Sequence, residues 1–72
     1  MLEQGQFYKG TRPNLTDMKF QVLGYGDPGW VFARETFFTD DGDGDLKGWI
    51  NLNHFSGIRQ ITKNEAYPRK PA

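Results

Sequence analysis

At 72 residues the chain has room for one domain around a single small core, and with no cysteine it can hold neither a disulfide staple nor a thiolate metal site. Packing alone must stabilise it, and a reducing compartment is permitted. Nine Lys and Arg balance nine Asp and Glu, which excludes a global field that would draw the chain to nucleic acid or to an anionic membrane surface.

No apolar run approaches the length of a membrane span, and Met1 to Gln6 lacks a basic region followed by an apolar one. The chain is therefore expected to be soluble, unexported and cytoplasmic, with no membrane partner. Aromatic residues make up 15% of it, and large rings are an efficient way for a small core to bury area.

Gln6 to Lys9 reads as a first short strand ended by Gly10, and the turn-rich segment from Gly10 to Asp17 as a long loop. From Met18 to Leu23 apolar and polar residues alternate with period two, which predicts a strand with Met18, Phe20 and Val22 on its buried face. Three glycines and a proline between Gly24 and Gly29 make a hairpin connection. Trp30 to Thr39 is rich in β-branched and aromatic residues, and its apolar parity changes midway. Trp30 and Phe32 share a face with Phe38, whereas Val31, Ala33 and Phe37 occupy the other, so a bulge or bend is expected near Arg34 to Thr36.

Asp40 to Asp45 is an acidic loop tip, after which Leu46 opens the stretch around which the chain is organised: a strand carrying Trp49, Ile50 and Leu52, a helical corner at His54 to Gly57, and a closing strand from Ile58 to Thr62. Burial of Trp49 or Phe55 would make its replacement by alanine cost roughly 3–5 kcal/mol. Residues 63–72 carry two prolines and three basic residues and read as a flexible tail to a domain spanning residues 1–62.

Five strands and no helical segment longer than a turn predict an all-β domain, and its size and one-turn corner favour a small five-stranded barrel over a sandwich. Gly48-Trp49-Ile50, leading through Asn53-His54-Phe55-Ser56-Gly57 into Ile58, resembles the end of an SH3-like barrel, which has one short helical turn before its last strand. Val22-Leu23-Gly24 and the late Phe55 are most similar to small SH3-like proteins of phages and bacteria. The chain lacks the Ala-Leu-Tyr-like first strand and the Trp pair of the eukaryotic signalling branch, so proline-peptide recognition is not implied. Expectations from the phage-type likeness are binding to host machinery such as bacterial RNA polymerase, a role in transcription regulation, and residence in the host cytoplasm.

Few residues suggest chemistry. Asp41, Asp43 and Asp45 have the first spacings of a calcium loop, but Leu46 and Leu52 stand where such a loop needs glycine and glutamate, so no metal is expected. His54 is the single histidine and has no companion for metal binding or nucleophilic catalysis, and Asp27, Glu35 and Glu65 form no acid–base pair by spacing. Gly24 to Gly29 lacks the Lys-Ser/Thr ending and the following helix of a phosphate loop. Neither an enzymatic activity nor a cofactor is expected. The residues suited to partner recognition are Tyr8, Tyr25 and Trp30, at strand ends and turns, with Lys9 and Arg12 nearby in sequence. The leading expectation is a monomeric, non-enzymatic protein-binding module. The alternative is a small barrel that binds nucleic acid through a local basic face.

Overall fold

A computed structural model describes residues 2–39 and 42–67. It has the expected all-β, five-stranded layout: β1 (Phe7–Thr11), β2 (Met18–Tyr25), β3 (Trp30–Thr39), β4 (Gly42–Asn51) and β5 (Gly57–Ile61) form one antiparallel sheet. The order across the sheet is β4-β3-β2-β1-β5. A single 3₁₀ turn, Leu52–His54, precedes β5, and a four-residue helix, α1 (Lys63–Ala66), follows it.

The period-two pattern of β2 is realised: Phe20 and Val22 are fully buried and Met18 nearly so. Around them one face of the sheet contributes Tyr8, Val31 and Ala33, with Leu2, Ile50, Leu52, Phe55 and Ile58 packed against this cluster. The rings of Tyr8 and Phe55 lie 6.0 and 5.9 Å from that of Phe20. Phe55 reaches this position because it follows the 3₁₀ turn, which folds the chain back over the sheet.

Several boundaries differ from the expected ones. β1 runs through Gly10 instead of stopping there, because Gly10 is needed inside the strand: a Cβ at this position would stand 2.5 Å from the Phe55 ring. Gly10→Ala is therefore expected to cost roughly 1–3 kcal/mol, read as a lowered urea midpoint at unchanged slope.

β2 extends to Tyr25, and the irregularity expected at Arg34 to Thr36 lies on its side of the pair, where the register shifts between Val22 and Gly24. β3 pairs with β4 without a break from Trp30 opposite Asn51 to Thr39 opposite Gly42. The parity change is real in burial all the same. Val31 and Ala33 are buried, and so is Thr36, of opposite parity. Gly42 to Asp45 belong to β4 rather than to a loop tip, since the hairpin register continues through them. Asp40 and Asp41 lie outside the described residues, as do the side chains of residues 37–45, and with them the calcium-like spacing and the placement of Phe37 and Phe38.

The helical turn falls at Leu52–His54, earlier than expected, because Asn51 caps it by accepting a hydrogen bond from the Asn53 amide at 2.9 Å. The expected flexible tail begins instead as folded structure. Thr62 caps α1 by accepting from the Glu65 amide at 3.2 Å, Ala66 is fully buried, and the Tyr67 ring meets Phe7 edge-on at 6.2 Å. Residues 68–72 lie outside the described residues. Tyr67→Ala should cost roughly 1–2 kcal/mol, since an edge-to-face pair and part of a ring's burial are both lost, and a thermal melt measures it.

Candidate functional site

The turn that joins β2 to β3 organises the exposed rings. In Asp27-Pro28-Gly29-Trp30 the Trp30 amide donates to the Asp27 carbonyl at 2.9 Å, with proline second and Gly29 at φ +87° third. That is the type II pattern, in which proline presets one dihedral and glycine supplies the positive φ. The turn is fixed from below, as the Leu52 amide donates to the Gly29 carbonyl at 2.8 Å, tying it to the 3₁₀ turn.

Two adjoining clefts flank this turn. One, of about 510 Å³, is lined by Leu2, Tyr25, Pro28, Trp30, Val31 and Leu52 among others, and the second, of about 500 Å³, by Gly26, Asp27, Trp30 and Trp49. Trp30 and Asp27 border both. Tyr25, Trp30 and Trp49 remain 48%, 41% and 55% exposed, an unusual amount of aromatic surface for one end of so small a domain.

Two of these rings, Tyr25 and Trp49, are held in place by neighbours. The Tyr25 hydroxyl donates to the Leu2 carbonyl at 2.7 Å. Trp49 meets Phe32 edge-on at 5.3 Å and lies over Gly26, where a Cβ would come within 2.6 Å of the indole. Gly26 thus lets the Trp49 ring approach the turn closely. Held rings lose little side-chain entropy on binding, which favours affinity.

The five residues expected to form a binding face are split by the structure. Tyr25 and Trp30 stand together at the turn. Tyr8 does not join them: it is 5% exposed, its ring packs on Phe20, and its hydroxyl accepts from the Glu3 amide at 2.8 Å. It is a core residue, because it alternates with Phe7 and Lys9 on the opposite face of β1.

Lys9 and Arg12 lie at the other end of the sheet. Lys9 pairs in register with Lys19 near the start of β2, and six residues separate Lys19 from Tyr25, about 20 Å along a strand. Both cations have local tasks. The Lys9 ammonium is 3.3 Å from Asp17, and the Arg12 guanidinium donates twice to the Thr16 carbonyl, at 3.0 and 2.8 Å, closing the loop between β1 and β2. Lys9 and Arg59 face each other across β1 and β5, and Arg59 is 3.5 Å from Glu65, whose carbonyl also accepts from Lys19 at 3.0 Å. Carboxylates therefore offset this basic row.

Trp49 is the member of the site that the sequence reading put in the core. The signal that would have placed it is strict alternation: Ile50 and Leu52 pack against the core, so Lys47, Trp49 and Asn51 must face away. Among the described residues no three His, Asp or Glu side chains gather as a metal would require, and no helix is long and apolar enough to cross a membrane. Comparison with protein families, curated proteins and solved structures yields no match.

Proposed function

We propose that this protein is a small non-enzymatic binding module that recognises another protein through the aromatic clefts at the β2–β3 turn. The observation that carries this reading is the juxtaposition of Tyr25, Trp30 and Trp49, all substantially exposed, around one hydrogen-bonded turn, with the Tyr25 and Trp49 rings held by neighbouring contacts. Exposed tryptophan and tyrosine concentrate interface energy when a partner desolvates them. Asp27 adds one carboxylate at the border of both clefts. Indole faces beside a carboxylate suit a Lys or Arg side chain, whose apolar stem lies on the rings while its charge meets the carboxylate.

Bacterial RNA polymerase, the partner suggested by the phage-type resemblance, is the first protein to try, and with it goes a regulatory role in transcription. Titration of labelled protein with the purified enzyme should broaden the indole N–H signals of Trp30 and Trp49. Broadening confined to Lys9, Lys19 and Arg59, or produced by short DNA instead, would move the site to the opposite end. The nucleic-acid reading is the weaker one because Asp17 and Glu65 sit beside that end's cations and dilute their pull on phosphate.

A further inference from the structure

The strand β4 forms one end of the sheet, ten residues long and, among the described residues, paired only with β3. Natural edge strands of this length are usually blunted by charge, by proline, by a bulge or by cover, because unpaired amides and carbonyls template the addition of another strand; in β4 the charges are of both signs and can pair rather than repel. β4 contains no proline, and its register with β3 is unbroken. Leu46, in its middle, is 65% exposed, and Trp49 is 55% exposed. Among the described residues the edge thus leaves one side of its backbone without a neighbouring strand and shows two apolar side chains, with the charged Lys47 between them.

We infer that β4 pairs antiparallel with β4 of a second copy of this chain, about a two-fold axis at Leu46, joining two five-stranded sheets into one. The occupant is chosen by charge and parity. Strand pleating requires residues of like parity to stand opposite each other, which restricts a symmetric pairing to axes that pass through a residue. With the axis at Leu46, Asp45 stands opposite Lys47 twice, Gly44 opposite Gly48, and Asp43 opposite Trp49. An axis at Asp45 sets two Asp45 against each other, one at Lys47 sets two Lys47 together, and one at Gly44 sets Asp43 against Asp45. Only the Leu46 axis matches each Lys47 to an aspartate without opposing like charges. Opposite charges directly across a ladder stabilise it, and like charges destabilise it.

The geometry accommodates this contact. Residues 42–50 all find partners within the strand, so the ladder uses nearly its whole length. Leu46 of one copy meets Leu46 of the other, with glycines on either side; at Gly48 a Cβ would meet nothing within 4 Å, so there is room for the leucines. Because the two-fold axis is perpendicular to the sheet, the two Trp49 residues emerge on the same face, about 20 Å apart along the strand direction. The dimer would then present its two Trp49-lined clefts on one face. This inference does not depend on what the clefts bind, and it replaces the expectation of a monomer.

Sedimentation equilibrium of the full chain, from micromolar to millimolar concentration, tests it. A monomer–dimer equilibrium is expected. Lys47→Asp and Asp45→Lys, each placing like charges opposite twice, should weaken it at least about tenfold, and the double variant Asp45→Lys/Lys47→Asp should restore it to within about threefold. Lys47 is exposed and both positions lie on a strand edge, so the variants should keep the wild-type amide dispersion, which confirms that they fold. A chain that stays monomeric at millimolar concentration overturns the inference. So does a dimer that is indifferent to Lys47→Asp, or one that the double swap fails to rescue.

Discussion

Phe20→Ala is expected to unfold the domain at room temperature or leave it barely folded. Phe20 is fully buried in the middle of β2, the strand that separates the β3–β4 hairpin from the β1–β5 pair. Its ring contacts Tyr8 from β1 and Phe55 beyond the 3₁₀ turn, so it ties together elements distant in sequence. Truncating a buried phenylalanine removes its transfer energy and leaves a cavity, together roughly 3–5 kcal/mol. A 72-residue domain has a total of about 4–10 kcal/mol at ordinary values per residue, so this one change can remove most of it. Urea unfolding followed by tryptophan fluorescence would show the midpoint collapse. Phe20→Leu, which keeps most of the volume, should retain a measurable folded baseline.

Trp49→Ala is expected to separate folding from binding. More than half of the ring's surface is exposed, and its main partner, Phe32, is itself only partly buried, so the loss of stability should stay within about 1 kcal/mol. Loss of an indole that a partner covers should instead weaken binding by about 2 kcal/mol or more, roughly thirtyfold. An unchanged melt with a lost partner identifies Trp49 as a recognition residue. A melt lowered as far as that of Phe20→Ala would return it to the core.

The contrast between these two rings shows how much the sequence disclosed. Phe20 sits in Met18-Lys19-Phe20-Gln21-Val22, where polar residues alternate with apolar ones and leave no doubt about which face is buried. Tyr25 and Trp30 were legible as exposed rings because they flank a Pro-Gly turn, which has to lie at the surface. Trp49 was not, because glycine and three apolar residues surround it, and in such a run composition outweighs parity. Tyr8 was misplaced for the converse reason: a tyrosine beside a lysine looks exposed, yet its hydroxyl finds the Glu3 amide and its ring joins the core.

Other features depended on contacts between distant segments, which no local pattern encodes. Gly10 looked like a strand terminator but is a landing place for Phe55, 45 positions further along. The segment after Thr62 looked too polar to fold. It needs to bury only Ala66 and to set Tyr67 against Phe7 in order to dock, and the Thr62 cap starts it. Likewise the acidic stretch from Gly42 to Asp45 becomes strand because β3 extends far enough to pair with it, against its own composition.

The central claim, that recognition resides in the rings at the β2–β3 turn and not in the cations at the other end, is tested most directly by comparative capture with immobilised variants. Wild-type chain, Trp30→Ala, Trp49→Ala, and the paired change Lys9→Ala/Arg59→Ala would be exposed to the same bacterial lysate and to purified RNA polymerase, with retained proteins identified by mass spectrometry. The expected result is a stoichiometric protein held by the wild type and by the cation variant but lost by both tryptophan variants. Retention that survives loss of the tryptophans and disappears with the cations would contradict the account.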